Sequence, residues 1–136
     1  MDRGQWLKAV GHAAAPLPDA WLEDGRIGVL RRTGFPRRPR IAPGDRLVLY
    51  ASVWRAIFAI VEAVDEPTDR IPVAADPARW PWTIAIEPLV VVPVLANAPP
   101  VEAIGVAARS MSQQSHIRIE PRHLTLAVEA IASVGA

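Results

Sequence analysis

The sequence predicts a small, mainly β domain with short helices, closing into a barrel or pseudo-barrel. Three observations carry that expectation. Short β-prone runs recur along the chain, with Pro, Gly and Asp clusters between them. Two of the runs, Arg46 to Ser52 and Ala56 to Val64, are separated only by Val53-Trp54-Arg55 and read as a buried hairpin. Five or six such strands in 136 residues fit a small closed sheet better than a sandwich or a bundle.

The elements follow in order. Gln5 to Val10 is a short apolar segment and a first strand. Pro16 to Glu23 reads as a short helix, opened by its prolines and Asp19 and ended by Asp24-Gly25. Arg26 to Arg32 is a strand or a continued turn, and Thr33 to Pro43, with Gly34, Pro36 and Pro39, is a loop. Pro43-Gly44-Asp45 turns the chain into the hairpin. Asp65 to Arg79 is again a loop. Trp82 to Glu87 is a strand that bends or lies at an edge near Pro88, because proline cannot donate to a ladder. Pro99 to Ile104 forms a helical turn, and Ser115 to Ile119 alternates as a half-exposed strand does. Pro121 suits the first position of a helix with Leu124, Val128 and Ile131 on one face. Leu47, Leu49, Ile57, Ile60, Ile84 and Ile86 are the expected core, and residues 1–136 are read as a single domain.

Composition narrows the function classes. Apolar residues make up 51% and charged residues 21%, which is ordinary for a compact soluble protein. There is no cysteine, so disulfides and thiolate metal sites are excluded. No leader is visible at the start, and the most apolar stretch, Trp80 to Val94, is broken by Pro81, Glu87, Pro88 and Pro93. A cytoplasmic protein without a membrane partner is the expectation. His12, His116 and His123 are scattered, and no metalloprotease helix, phosphate loop or nucleophile elbow occurs. No metal or cofactor is expected.

Charge is unevenly spread. Arg26, Arg31, Arg32, Arg37, Arg38 and Arg40 give the segment 26–44 a charge of +6 with no acid, so the net +1 leaves −5 for the rest. Arginine forks match phosphate oxygens in pairs. Arg31, Arg32, Arg37, Arg38 and Arg40 are therefore candidate phosphate contacts, against the alternative of a solvated basic loop. Five tryptophans stand against one tyrosine and two phenylalanines. An exposed ring at a hairpin turn, Trp54, is a candidate base platform. Trp21 is better explained as core, and Trp80, between Arg79 and Pro81, fits either role.

Several segments together resemble the EVE family, a branch of the PUA-like group that also holds the YTH and ASCH domains. They are Gln5-Trp6-Leu7-Lys8, the Gly44-Asp45 turn with the strand to Tyr50-Ala51-Ser52, Ile57 to Val64, Trp80 to Leu89, and Ser110 to Ile119. The resemblance implies a PUA-like pseudo-barrel that binds RNA or DNA, with a modified base held in an aromatic pocket. It places Trp6, Lys8, Tyr50, Ser52 and Trp54 at that pocket. Trp82, Ser112 and Gln113 are added from the residues themselves, as an aromatic wall and hydrogen-bonding groups. Leu30 stands where relatives often carry a pocket tryptophan, and Ala9-Val10 where they often carry Ser-Glu. Two alternatives stay open. One is an ASCH-like hydrolase of nucleosides or RNA using Lys8 as a base, with Glu62 or Glu87 beside it. The other is a protein-interaction module built on the tryptophans.

Overall fold

A computed structural model describes residues 3–12, 14–23, 27–72 and 78–134. Six strands form one sheet: β1 (Gln5–Val10), β2 (Arg32–Phe35), β3 (Arg46–Ala51), β4 (Ala56–Ala63), β5 (Trp82–Val91) and β6 (His116–Ile119), followed by helix α1 (Pro121–Val134). Their order is β2-β5-β4-β3-β1-β6. β1 runs parallel to β3, Gln5 opposite Arg46, and the other pairings are antiparallel. The parallel pair needs a long crossover, which the segment between Val10 and Arg46 supplies.

The expected hairpin is β3 and β4. Both are buried along nearly their whole length, and β4, which faces the barrel interior, carries α1 on its other face. That double burial is why these runs read as continuous apolar stretches and lack alternation. The six expected core residues are all buried. β5 pairs with β2 through Ala85 and with β4 from Ile86 onward, so it turns the corner of the half-barrel. Pro88 sits opposite Val61, beside a register shift in β4, the bulge position that a proline tolerates.

Three expectations need correction. Residues 19–23 form turns and no helix. Pro16 and Pro18 supply no N–H, and the segment is tied down from outside: the Trp21 indole donates to Val92 O at 3.0 Å, and Leu95 N donates to Asp19 O at 2.9 Å. The expected stop at Asp24-Gly25 lies outside the described residues. The segment expected as a loop from Thr33 holds most of β2, whose pairing with β5 and buried Phe35 outweigh its weak local signal. On α1 the buried stripe is Ala127 and Ile131 with Leu124 partly covered, while Val128 is 48% exposed.

The start of β3 is welded to the start of β1 by one carboxylate. Asp45 accepts from Gly4 N at 2.8 Å, from the Trp6 indole at 2.9 Å and from Ala42 N at 3.1 Å. A Cβ on Gly4 would lie 2.8 Å from the carboxylate, so the chain needs glycine there. Asp45→Ala strands three donors, two of them buried, and should lower the unfolding free energy by about 3 kcal/mol or more. Asp45→Asn, which keeps one acceptor oxygen, should lose less. Urea denaturation of the two variants checks both the size and the order.

Candidate functional site

One wide groove, of about 990 Å³, opens where the end of β1, the β3–β4 turn and the 108–115 loop meet. Tyr50 and Ser52 come from the end of β3, Arg55 from the turn, Arg79 and Trp80 from the entry to β5, and Arg109, Ser112, Gln113 and Ser115 from the last loop. Backbone bonds hold these pieces in register: Ser52 N donates to Val10 O at 3.0 Å and Ala9 N to Ser115 O at 2.8 Å. Among the described lining residues there are three arginines and no carboxylate.

A buried cluster backs the groove. Lys8 is only 2% exposed. Its amine donates to Ala9 O and lies 4.9 Å from the Phe35 ring centre and 5.1 Å from that of Trp80. The His116 ring meets Phe35 edge-on at 5.1 Å and Trp6 at 5.6 Å. Its Nδ1 is 2.6 Å from the Ser115 hydroxyl at the groove wall. Phe35 on β2 and His116 on β6 are at opposite ends of the strand order, so these rings close the half-barrel where the backbone ladder does not. Burial pushes the Lys8 amine down to about 7. Burial, and after it the Lys8 charge, holds the His116 imidazole below its usual range. Burial raises the Tyr50 phenol, with Arg55 pulling it back and Glu102 adding to the rise.

The residues anticipated from sequence divide. Tyr50, Ser52, Ser112 and Gln113 line the groove, and Lys8 lies behind its Trp80 wall. Trp6, Trp54 and Trp82 sit elsewhere. The Trp6 indole is spent on Asp45, and Arg118 covers its ring at 5.3 Å. Trp54 is 38% exposed, but its N–H donates to Leu17 O at 2.9 Å, pinning the residues before Trp21. Trp82 is half-buried under the Arg38 guanidinium at 5.4 Å. Trp80 at the groove wall likewise carries the Arg79 guanidinium over its ring at 5.4 Å, so what sets it apart from Trp6 and Trp82 is its place on the groove. Of the arginine segment, Arg31, Arg37, Arg38 and Arg40 are exposed, whereas Arg32 pairs with Asp65 at 3.3 Å and with the Thr83 hydroxyl at 2.9 Å. Pro36 lines the groove, so Arg37 and Arg38 follow directly from its rim. Glu62 is engaged by Arg46 at 3.5 Å, level with Gln5 in the sheet and away from Lys8, and Glu87 is exposed. The charged groove residues that local patterns did not single out are Arg55, Arg79 and Arg109. Their only sequence signal is position, beside Trp54, Trp80 and Ser110.

Among the described residues no helix is long and apolar enough to cross a membrane, and no group of three His, Asp or Glu side chains is placed to hold a metal.

No family model matches the sequence, and no curated protein matches it. Solved structures do. A protein from Leishmania major is 11% identical at a TM-score of 0.59, over 99% of this chain and 98% of its own. A protein from Rhodopseudomonas palustris is 17% identical at 0.58, over 96% and 94%. An ASCH protein from Zymomonas mobilis is 12% identical at 0.57, over 94% and 96%. The molecule is thus a mostly β half-barrel of six strands with one C-terminal helix. Its fold is PUA-like, similar to that of ASCH proteins.

The buried amine makes stability depend on pH. An unfolded lysine titrates near 10.5, so between about pH 7 and 10.5 the unfolded chain holds a proton the native chain has shed. Stability should therefore rise with pH across that window, by about 1 kcal/mol per pH unit, with the full penalty present below it. Lys8→Met should be more stable than the parent at pH 7 and should lose the slope. Urea titrations at several pH values across the window read both.

Proposed function

We propose that the chain binds single-stranded nucleic acid, RNA or DNA, receiving one base in the groove against Trp80. The observation that carries this reading is the composition of the groove: an aromatic wall and short hydroxyl and amide side chains beside three arginines, with no lining carboxylate. A planar base supplies a π-face for the Trp80 ring and for the Arg79 guanidinium that lies over it at 5.4 Å, and its phosphates supply the charge that Arg55 and Arg109 match. Exposed Arg37, Arg38 and Arg40 extend the basic surface beyond Pro36. The finer likeness, to base-reading EVE domains, rests on the sequence segments between Gln5 and Ile119 given above and favours a modified base as ligand.

Hydrolysis of a nucleoside or RNA in the same groove is the second reading. Lys8 favours it, since an amine titrating at about 7 can take up a proton near neutral pH. The amine lies beneath Trp80 and donates to Ala9 O, without a carboxylate from Glu62, so binding is the better-supported function.

Trp80→Ala should weaken binding of a short single-stranded oligonucleotide by between about fivefold and a hundredfold, the range stacking on one ring supplies. Fluorescence anisotropy with modified and unmodified strands measures it. Replacing Arg37, Arg38 and Arg40 by glutamine should weaken all sequences alike and flatten the dependence of affinity on salt. Equal affinity of parent and Trp80→Ala would remove the base from the groove.

A further inference from the structure

Among the described residues, three that are not glycine adopt a left-handed backbone: Val53 at φ 77°, Arg55 at φ 57° and Gln113 at φ 59°. All three line the same groove. Such residues are uncommon, and a β-branched one there is an outlier. The strain persists only where the surroundings over-determine it, and it gathers at ligand clamps and active sites. Its confinement to two loops on one groove needs a cause.

The local geometry makes the cost specific. Gln114 N donates to Met111 O at 3.1 Å, and Ser112 sits at φ −62°, ψ 122°. That is a type II turn with Gln113 at the third position, which glycine occupies without steric cost. In the other loop, Arg55 N donates to Ala51 O at 2.9 Å and Arg55 O accepts from Val101 N at 3.0 Å, so the left-handed residue is locked between two segments. A turn that only connected strands would be served better by glycine at both places. What glutamine and arginine add is a side chain at the groove: an amide with a donor next to an acceptor, and a guanidinium fork.

We propose that Arg55 and Gln113 form a two-loop clamp that sets the ligand of this groove, Gln113 reading the pairing edge of an unpaired base and Arg55 holding the phosphate beside it. The inference rests on the nucleic-acid reading above and names its ligand unit: a nucleotide whose base is out of the stack. The pairing edges of the bases offer neighbouring donor and acceptor atoms, which an amide can meet and which a duplex has already used. The clamp therefore discriminates single strands from duplex more than one base from another. It also accounts for the left-handed backbone of Arg55 and Gln113 as stability given up for contact, and Val53 lies in the same turn as Arg55.

The test restores glycine where the backbone favours it. Gln113→Gly and Arg55→Gly should each raise the Tm, because a left-handed side chain is removed. Gln113→Gly should lower affinity for a short mixed-sequence single strand by about tenfold, while affinity for the matching duplex stays the same. Arg55→Gly should weaken a nucleoside 5′-monophosphate and leave the corresponding nucleoside unaffected. A fall in Tm would make these residues structural and overturn the clamp. Unchanged single-strand affinity, in a protein whose Trp80→Ala variant loses it, would overturn the clamp while leaving the groove reading intact. No binding of any oligonucleotide by the parent chain would remove both.

Discussion

The amine of Lys8 is buried inside the half-barrel, between the rings of Phe35 and Trp80, with one backbone carbonyl as its hydrogen-bond partner. An ammonium in that position is expensive, and the aromatic faces return only part of the cost. The chain meets the constraint by lowering the pKa of the amine to about 7, so that it sheds its proton just above neutrality, and by packing aromatic rings around it. Those rings come from β2, from the entry to β5 and, through His116, from β6. The side chain that is hardest to bury thus gathers the parts of the sheet that the backbone ladder leaves apart.

The groove inherits its shape from that packing. Trp80 is held at the wall with Lys8 behind it, and Ser115 is oriented by its bond to His116. On the opposite flank, the strain-bearing turns at 53–55 and 113 place an arginine and an amide on the same space. Asp45 fixes the far end of the β1–β3 pair, so the ends that carry Ala9 and Tyr50 are registered by a weld at the other extreme of the same two strands. Fold stability and site geometry are linked through β1: its outer end is tied by Asp45, and its centre carries the amine.

What was legible in the sequence was what local patterning enforces. β3 and β4 showed as apolar runs because both of their faces are covered, and α1 announced itself by Pro121. β2 did not show, since four residues around Gly34 between arginines and prolines have no strand signal of their own. Tyr50, Ser52, Ser112 and Gln113 were visible as polar or amphipathic groups at element ends, and they line the groove. Trp54 drew notice by its place at a turn, yet its indole serves Leu17 O. Trp80 matters because a lysine seventy-two positions earlier lies under it, and no local window contains both. The hint was indirect: the chain's only lysine stands in the middle of an apolar strand.

The central claim is that Trp80, among the tryptophans of this PUA-like fold, is the one that meets a base. The five indole N–H groups should give separate signals in a nitrogen-15 correlation spectrum, because their environments differ: Trp6, Trp21 and Trp54 are engaged by Asp45, Val92 O and Leu17 O. Titration with a short single-stranded oligonucleotide should move the Trp80 signal first and furthest, and leave that of buried Trp21 in place. A Trp80 signal that stays fixed while those of Trp54 or Trp82 shift would contradict the account and move the ligand to another face of the barrel.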